Sequence, residues 1–324
     1  MGNYLNPGNE KFRRMIQSEI YVDKTGMIKY TNSVLDTAQN YVCVSRPRRF
    51  GKSMAANMLT AYYSRGCNSK ELFGKFEIAK DKDFEKYLNQ YNTIFLNMQE
   101  FLSRSHNVEE LIDRVKKLVI RDLKMEYPEV DYFDDTDLIE CMQDIYAQMQ
   151  YPFVVIIDEW DCIFREYKQD KEAQEKYLDF LRDLLKDKAC IYLSYMTGIL
   201  PIKKEKTQSA LNNFDEFTML SAGAFASYIG FTDDEVKALC KNYNKDFEKV
   251  KRWYDGYILE EYQVYNPKAV VSVLLKGSFK SYWSETASYD AIVPLINMNY
   301  DGLKTSIIEM LSGDTICLLY TSDA

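Results

Sequence analysis

Short apolar runs recur along the chain and predict buried parallel strands. Four of them are rich in Val, Ile or aromatic residues and end in turn or charged residues, as strands buried on both faces do. They cover residues 41–45, 93–97, 153–157 and 190–196. A fifth strand is predicted at residues 216–220.

Between these runs, apolar residues recur with the helical spacing i, i+3, i+4, i+7. One such stripe covers residues 108–119 and another covers residues 177–185. Strands that alternate with helices predict a parallel sheet with helices on both faces, which is a three-layer α/β/α core.

The pattern changes after about residue 221. Residues 232–243 begin with a Thr and a Glu three positions later, a helix N-terminus signal, and then continue with helical periodicity. Residues 256–265 predict a β-hairpin, and Asn266-Pro267 predicts the start of another helix. We therefore predict an N-terminal segment (1–40) packing on a core (41–220), and a smaller, mainly helical lid domain (221–316). Because this domain contains a hairpin, a winged-helix-like arrangement is one possible form of it.

Composition narrows the possible functions. The chain has 324 residues, of which 46% are apolar and 28% charged, as expected for a soluble protein with a buried core. No apolar run approaches the ~20 residues of a membrane helix, and no signal peptide is visible, so we expect a cytoplasmic protein without membrane contact. A net charge of −8 argues against direct nucleic-acid binding.

The cysteines and the single histidine narrow the chemistry further. Seven cysteines without a C-x-x-C pair indicate free thiols in a reducing compartment. With His106 as the lone histidine, neither a histidine-based zinc site nor a Ser-His-Asp triad is expected. Acid–base chemistry is left to carboxylates, Lys or Tyr.

A phosphate-binding loop is predicted where a strand meets a helix. Its residues stand between the strand at 41–45 and a helix predicted at 54–64: Arg46, Pro47, Arg48, Arg49, Phe50, Gly51, Lys52 and Ser53. In such a loop Gly51 lets the backbone approach a phosphate, Lys52 reaches the β- and γ-phosphates, and Ser53 offers a hydroxyl to Mg²⁺. Arg46 stands where the usual pattern has Gly, and Gly-Lys-Ser alone is a weak signal.

An acid pair completes this prediction. The strand at 153–157 runs into Asp158 and Glu159, at the sheet edge where open α/β folds bind ligands. Asp158 would hold Mg²⁺ and Glu159 would polarise the attacking water. The alternative is that both acids only end a strand and cap the next segment, and Asp161 is interpreted as a solvated or structural acid. Thr197 would bond the γ-phosphate or the water, or belong to an ordinary turn.

These residues also match a family. The chain resembles the bacterial AAA-ATPase-like family, in which a P-loop ATPase domain is commonly fused to a C-terminal PD-(D/E)XK nuclease-like domain. The matching stretches are Tyr21-Val22-Asp23-Lys24-Thr25, Arg46-Pro47-Arg48-Arg49-Phe50-Gly51-Lys52-Ser53, Ile157-Asp158-Glu159-Trp160-Asp161, Thr197-Gly198-Ile199, Leu211-Asn212-Asn213-Phe214, Gly230-Phe231-Thr232, Trp253-Tyr254-Asp255-Gly256-Tyr257 and Tyr265-Asn266-Pro267. A loop that starts with Arg46 is shared with this family.

The resemblance implies an ATP-binding core with a lid, ATP and Mg²⁺ as cofactors, and a nuclease-like effector domain or protein partner. It also implies that residues 21–25, including Asp23, contact the nucleotide base, although Asp23 and Lys24 would equally suit a surface ion pair. The nuclease module is not found after residue 216. Residues 317–324 (CLLYTSDA) back-translate to a sequencing-adapter end, so we interpret them as a non-native tail on a truncated gene; an ordinary helix end is the alternative.

The roles of several basic and aromatic residues can be interpreted from the sequence as well. Arg48 and Arg49 would touch phosphates, or pair with Asp158 or Glu159 in the empty state. Arg252 would sense the γ-phosphate from the lid, or lie on a helix surface, and Lys203 and Lys204 have a similar claim. The aromatic residues of the stretch 253–257 are expected to pack under the hairpin.

The sequence therefore predicts a Mg²⁺-dependent ATPase that acts as a nucleotide-driven switch for an attached or partner effector. The alternative is a nucleotide-gated binding module with little or no hydrolysis. A phosphotransferase is disfavoured, because Asp-Glu after an apolar strand suits water activation. The oligomeric state is left open.

Overall fold

The computed structural model of the chain describes residues 2–202 and 211–282. The chain divides into two compact units, Met1–Gly277 and Ser278–Ala324. All the helices and strands given below lie in the first unit. Lys203, Lys204 and the predicted tail at 317–324 lie outside the described residues.

Five parallel strands form the main sheet. They are β1 Tyr41–Ser45, β2 Asn92–Asn97, β3 Phe153–Asp158, β4 Ile191–Gly198 and β5 Asp215–Phe217. Their order across the sheet is β2-β3-β4-β1-β5. The predicted strands are confirmed, but β5 ends at Phe217 rather than 220, because a turn closed by Thr218 N and Ser221 O (2.8 Å) follows it.

Helices connect the strands and form the layers on either side of the sheet. Those in the described residues are α1 Glu10–Ile16, α2 Met27–Val34, α3 Lys52–Tyr63, α4 Lys70–Phe73, α5 Phe84–Tyr87, α6 Met98–Leu102, α7 Val108–Glu126, α8 Leu138–Met149, α9 Cys162–Glu166, α10 Lys171–Leu185, α11 Asp233–Asn242, α12 Phe247–Tyr254 and α13 Pro267–Lys276. The helix after the loop thus begins at Lys52 rather than Met54.

Side-chain alternation along the strands divides the core between the two faces of the sheet. Val154 and Ile156 of β3 belong to one buried cluster, together with apolar residues of α3. Val155 and Ile157 belong to the other cluster, together with residues of α7, α8 and α10. The predicted three-layer α/β/α arrangement is confirmed.

A small antiparallel sheet follows the main one. Its strands are β6 Phe231–Thr232, β7 Tyr257–Leu259 and β8 Tyr262–Tyr265, in the order β6-β8-β7. The predicted hairpin is confirmed, and so are the Thr232 capping box with Glu235 and the helix start at Pro267. The boundary near residue 221 stays a prediction.

The cysteines and the helix lengths bear on two further expectations. The six cysteines in the described residues are free thiols; Cys67 is half-buried and the others are buried. Within the same residues, every helix is too short or too polar to cross a membrane.

Candidate functional site

The loop between β1 and α3 leaves open space at its glycine. Gly51 has φ +96°, in the left-handed region that glycine adopts without strain, and a Cβ placed there would meet nothing within 4 Å. Arg49 also has a positive φ, of 71°, which is uncommon for a residue with a side chain. The turn therefore combines one strained residue, Arg49, with open space at Gly51.

Lys52 closes this loop from its far end. It is the first residue of α3, it is buried, and its Nζ donates a hydrogen bond to Pro47 O at 3.0 Å. Burial lowers the pKa of Lys52, while the nearby charges of Glu159 and Asp158 raise it. The ammonium is thus held inside the loop and next to the acid pair.

Arg46 anchors the loop to the sheet. Its buried guanidinium donates from Nη1 to Ser45 O at 3.0 Å and to Phe217 O at 2.9 Å, so it joins the end of β5 to β1. Burial lowers the pKa of Arg46 to about 10. Its Nε and Nη2 have no hydrogen-bond partner in the part of the chain that the structure describes. A role in nucleotide binding stays a prediction.

The remaining loop residues differ in what they present. Phe50 is buried with its ring 5.2 Å from that of Tyr257, so only its backbone is available to a ligand. Arg48 and Arg49 are exposed, and the predicted pairing of one of them with Glu159 is wrong, since Glu159 pairs with Arg165.

Asp158 is a buried carboxylate at the end of β3. It is 1% exposed, and neither of its oxygens has a hydrogen-bond partner among the described residues. Burial raises its pKa from 3.8 to about 6, although the Ser53 hydroxyl lies close enough to lower it. Carboxylates this buried are normally paired or bind a metal ion, so Asp158 and Ser53 fit a Mg²⁺ site beside Lys52.

Glu159 follows Asp158 and faces a different partner. Its backbone is left-handed, with φ 57°, and its carboxylate forms an ion pair with Arg165 of α9. Arg165 also contacts Gln99 Oε1 and Asp161 Oδ2, each at 3.4 Å. Arg165 was missed from the sequence; its i, i+4 spacing to Asp161 was the available signal.

Asp161 is structural. It is fully buried, and its Oδ2 accepts hydrogen bonds from Ile199 N at 3.0 Å and Leu200 N at 2.8 Å. The structural interpretation is therefore confirmed, and the solvated one is wrong. Asp161 fixes the backbone just after β4, next to the site.

Thr197 lies beside Asp158 in the sheet. The two residues are partners in the β3–β4 register. Thr197 is buried, and its Oγ1 has no hydrogen-bond partner among the residues described. Both Thr197 and Gly198 lie within β4, so the ordinary-turn interpretation is wrong. Two adjacent strands thus present unsatisfied polar groups at the same sheet edge.

The N-terminal segment is bonded differently from the expectation. Asp23 accepts from Thr25 N at 2.8 Å and from Glu77 N at 2.7 Å, while Lys24 pairs with Glu235 at 2.6 Å. The surface Asp23–Lys24 ion pair is therefore wrong. A contact of Asp23 with the nucleotide base stays a prediction. Both oxygens of the Asp23 carboxylate already accept a backbone hydrogen bond.

The residues expected to belong to a lid lie in different environments. Trp253 is 48% exposed, so the expected packing under the hairpin is wrong for it, whereas Tyr254 is buried. Arg252 is exposed on α12, and its sensing role stays a prediction.

Residues 7–207 match the family described as "Predicted AAA-ATPase". The chain belongs to this family. The matched residues include the predicted phosphate loop, the acid pair and Thr197, and the family resemblance seen in the sequence is confirmed. The chain is also similar to an uncharacterized protein in the vnfD 5′ region of Azotobacter chroococcum mcd 1, with 24% identity over 283 residues. These residues are 85% of this chain and 52% of the relative, so the chain spans about half the length of that curated relative.

Solved structures that are similar to this AAA-ATPase-like chain include two from Aeropyrum pernix. The Aeropyrum pernix ORC2 protein in ADPNP-ADP complexes has a TM-score of 0.37 and 13% identity, covering 70% of this chain and 54% of that one. The Aeropyrum pernix ORC1 protein in complex with DNA has a TM-score of 0.38 and 8% identity, covering 75% and 54%.

Proposed function

We propose that this chain binds ATP with Mg²⁺ at the loop 46–53 and hydrolyses the ATP, acting as a nucleotide-driven switch for an attached or partner effector. The observation that carries the proposal is Asp158. A buried carboxylate without a hydrogen-bond partner in the described residues, beside Lys52 and the open turn at Gly51, is a costly arrangement that a bound cation and its phosphates would satisfy.

Each residue has a defined part in this proposal. Lys52 and the loop amides bind the phosphates, and Ser53 and Asp158 hold the metal. When bound, Mg²⁺ neutralises charge on the phosphate oxygens. Glu159 polarises the attacking water and Thr197 orients it, since both lie at the edge that Asp158 occupies.

A nucleotide-gated binding module with little hydrolysis is the second candidate. The ion pair between Glu159 and Arg165 favours it, because this contact occupies a carboxylate oxygen that water activation needs.

Phosphate release by the wild type and by Glu159→Gln separates the two candidates. Hydrolysis predicts a loss of about a hundredfold or more in Glu159→Gln, with ATP still bound. Titration calorimetry with Mg²⁺ and ATP measures that binding, and Lys52→Ala, which should lose it, is the control. If the wild type binds ATP but releases no more phosphate than Glu159→Gln, the binding module is correct.

A further inference from the structure

The side chain of Asn266, which follows strand β8 of the small antiparallel sheet, contacts the phosphate loop. Asn266 is buried, and its Nδ2 donates a hydrogen bond to Arg48 O at 3.2 Å. Its Oδ1 accepts from Ala269 N at 3.2 Å and so caps the N-terminus of α13. A single amide therefore bonds both the loop and the helix.

The hydrogen bond to Arg48 O also sets the direction of the next amide. The peptide unit between Arg48 and Arg49 is planar, so its N–H points opposite to its C=O. Because Asn266 holds the carbonyl towards α13, the Arg49 N–H points away from α13. Arg49 itself has a strained positive φ of 71°, so contacts from outside the loop must stabilise this backbone conformation.

Packing around Phe50 is a second contact that stabilises the loop conformation. The Phe50 ring meets Tyr257 of β7 edge to face, with centroids 5.2 Å apart. At Gly230, where φ is +117°, a Cβ would lie 3.3 Å from Phe50 Cδ1 and 2.4 Å from Val264 Cγ1. The loop and the small antiparallel sheet are thus in close contact through the Phe50 ring.

The residues on either side of Asn266 fix its position. Tyr265 donates a hydrogen bond from its hydroxyl to Asp233 Oδ1 at 2.7 Å, which joins β8 to α11. Pro267 occupies the first turn of α13, where its fixed φ suits a helix start. The neighbours Tyr265 and Pro267 therefore restrict the position of the Asn266 side-chain amide.

We propose that Asn266 is a positioning residue that couples nucleotide binding at the loop to the order of α13. The inference rests on the proposed function, since it needs a nucleotide at the loop. Coupling of this kind is reciprocal: if bound nucleotide stabilises α13, an ordered α13 raises the affinity for nucleotide by the same free energy.

Three variants separate the two bonds of Asn266. Asn266→Asp keeps the capping oxygen and loses the donor, whereas Asn266→Ala loses both. Asp246→Ala is the matched control, because Asp246 caps α12 through Lys249 N at 3.3 Å instead. Affinity for a non-hydrolysable ATP analogue with Mg²⁺ is measured by calorimetry, amide hydrogen exchange is followed at residues 268–276, and each variant is melted without nucleotide.

In the wild type, the analogue should slow exchange in α13. Asn266→Asp should melt earlier, because it places a buried carboxylate oxygen opposite Arg48 O, and it should lose about threefold to tenfold in affinity and show no analogue-dependent change in α13 exchange at saturation. Asn266→Ala should melt earlier with the same loss of affinity but without the added charge, and Asp246→Ala should melt earlier with wild-type affinity. Wild-type affinity in Asn266→Asp, or α13 exchange in the wild type that ignores the analogue, would overturn the coupling and leave the ATP site standing. A wild type that binds no nucleotide would overturn the proposed function and the coupling together.

Discussion

The Arg165 guanidinium forms an ion pair with the carboxylate of Glu159. The side chains are 14% and 23% exposed, so the pair is partly shielded from water and stronger than a typical surface pair. Asp161 and Gln99 hold Arg165 from its other sides. The residue that we propose to activate water is thus held by a cation from the following helix.

Arg165→Met should raise kcat for ATP hydrolysis several-fold at unchanged KM, because Glu159 is then free to turn towards water. The variant should also be less stable by about 1 kcal/mol or more, since buried Asp161 loses its cationic neighbour. Steady-state phosphate release and urea unfolding measure the two effects. The double variant Arg165→Met/Glu159→Gln should be inactive. A lower kcat at unchanged KM would show instead that Arg165 aligns the carboxylate for catalysis.

The stability of the Mg²⁺-free protein should depend on Asp158. Burial raises the pKa of Asp158 from 3.8 to about 6, so the folded state binds this proton more tightly than the unfolded state does. Stability in EDTA should therefore fall as pH rises from about 4 to about 6, and the loss should be complete above that range.

Asp158→Asn removes this dependence and should stabilise the Mg²⁺-free protein by about 1–3 kcal/mol at neutral pH. Urea unfolding across the pH range measures it. Asp161→Ala is the control and should destabilise, because the backbone N–H groups of Ile199 and Leu200 then lose their acceptor. Identical pH profiles for Asp158→Asn and the wild type would contradict the prediction.

Thr197→Val should separate function from stability. The Thr197 hydroxyl is buried without a hydrogen-bond partner in the described residues, so its loss should cost the empty protein less than about 1 kcal/mol. Hydrolysis should slow by about tenfold or more, because an oriented donor at the reacting centre is lost. Ser194 has a similarly buried hydroxyl, but its partner in the sheet is Val155 rather than Asp158. The control variant Ser194→Ala should therefore leave hydrolysis unchanged. Equal activity of both variants would remove Thr197 from the site.

Gly198→Ala should destabilise the protein by about 1–3 kcal/mol through overpacking. A Cβ at Gly198 would lie 2.7 Å from Asp161 Oδ1 and 2.7 Å from Trp160 Nε1, and both neighbours are buried. Gly256→Ala is the control, since a Cβ there meets nothing within 4 Å. Thermal unfolding measures both variants, and equal melting temperatures would contradict the predicted clash.

The strands and the sheet-edge residues were predictable because their signals are local. Apolar runs such as residues 41–45 are buried on both faces, and the residue that ends a parallel strand lies at the ligand-binding edge. The sequence alone therefore predicts Asp158 and Thr197 at one sheet edge, and Lys52 in a loop that follows another strand of the same sheet.

The partners of these residues were not predictable, because they depend on side-chain direction or on distant segments. Lys24 meets Glu235, which lies 211 positions away, and no local pattern marks that pair. Phe50 looks like a loop residue but packs on Tyr257 of the second sheet. Arg165 is close in sequence to Glu159, yet the left-handed backbone at Glu159, which helps to set the direction of its side chain, has no local sequence signal.

The Asn266–Arg48 hydrogen bond also has a consequence for biosynthesis. It joins residues 218 positions apart, and contacts that close such long stretches of chain form late in folding. The phosphate loop emerges from a ribosome early, but the amide that orients it is made more than two hundred residues later. In a nascent chain the hydrogen bond to Arg48 O can therefore form only after Asn266 has been synthesised.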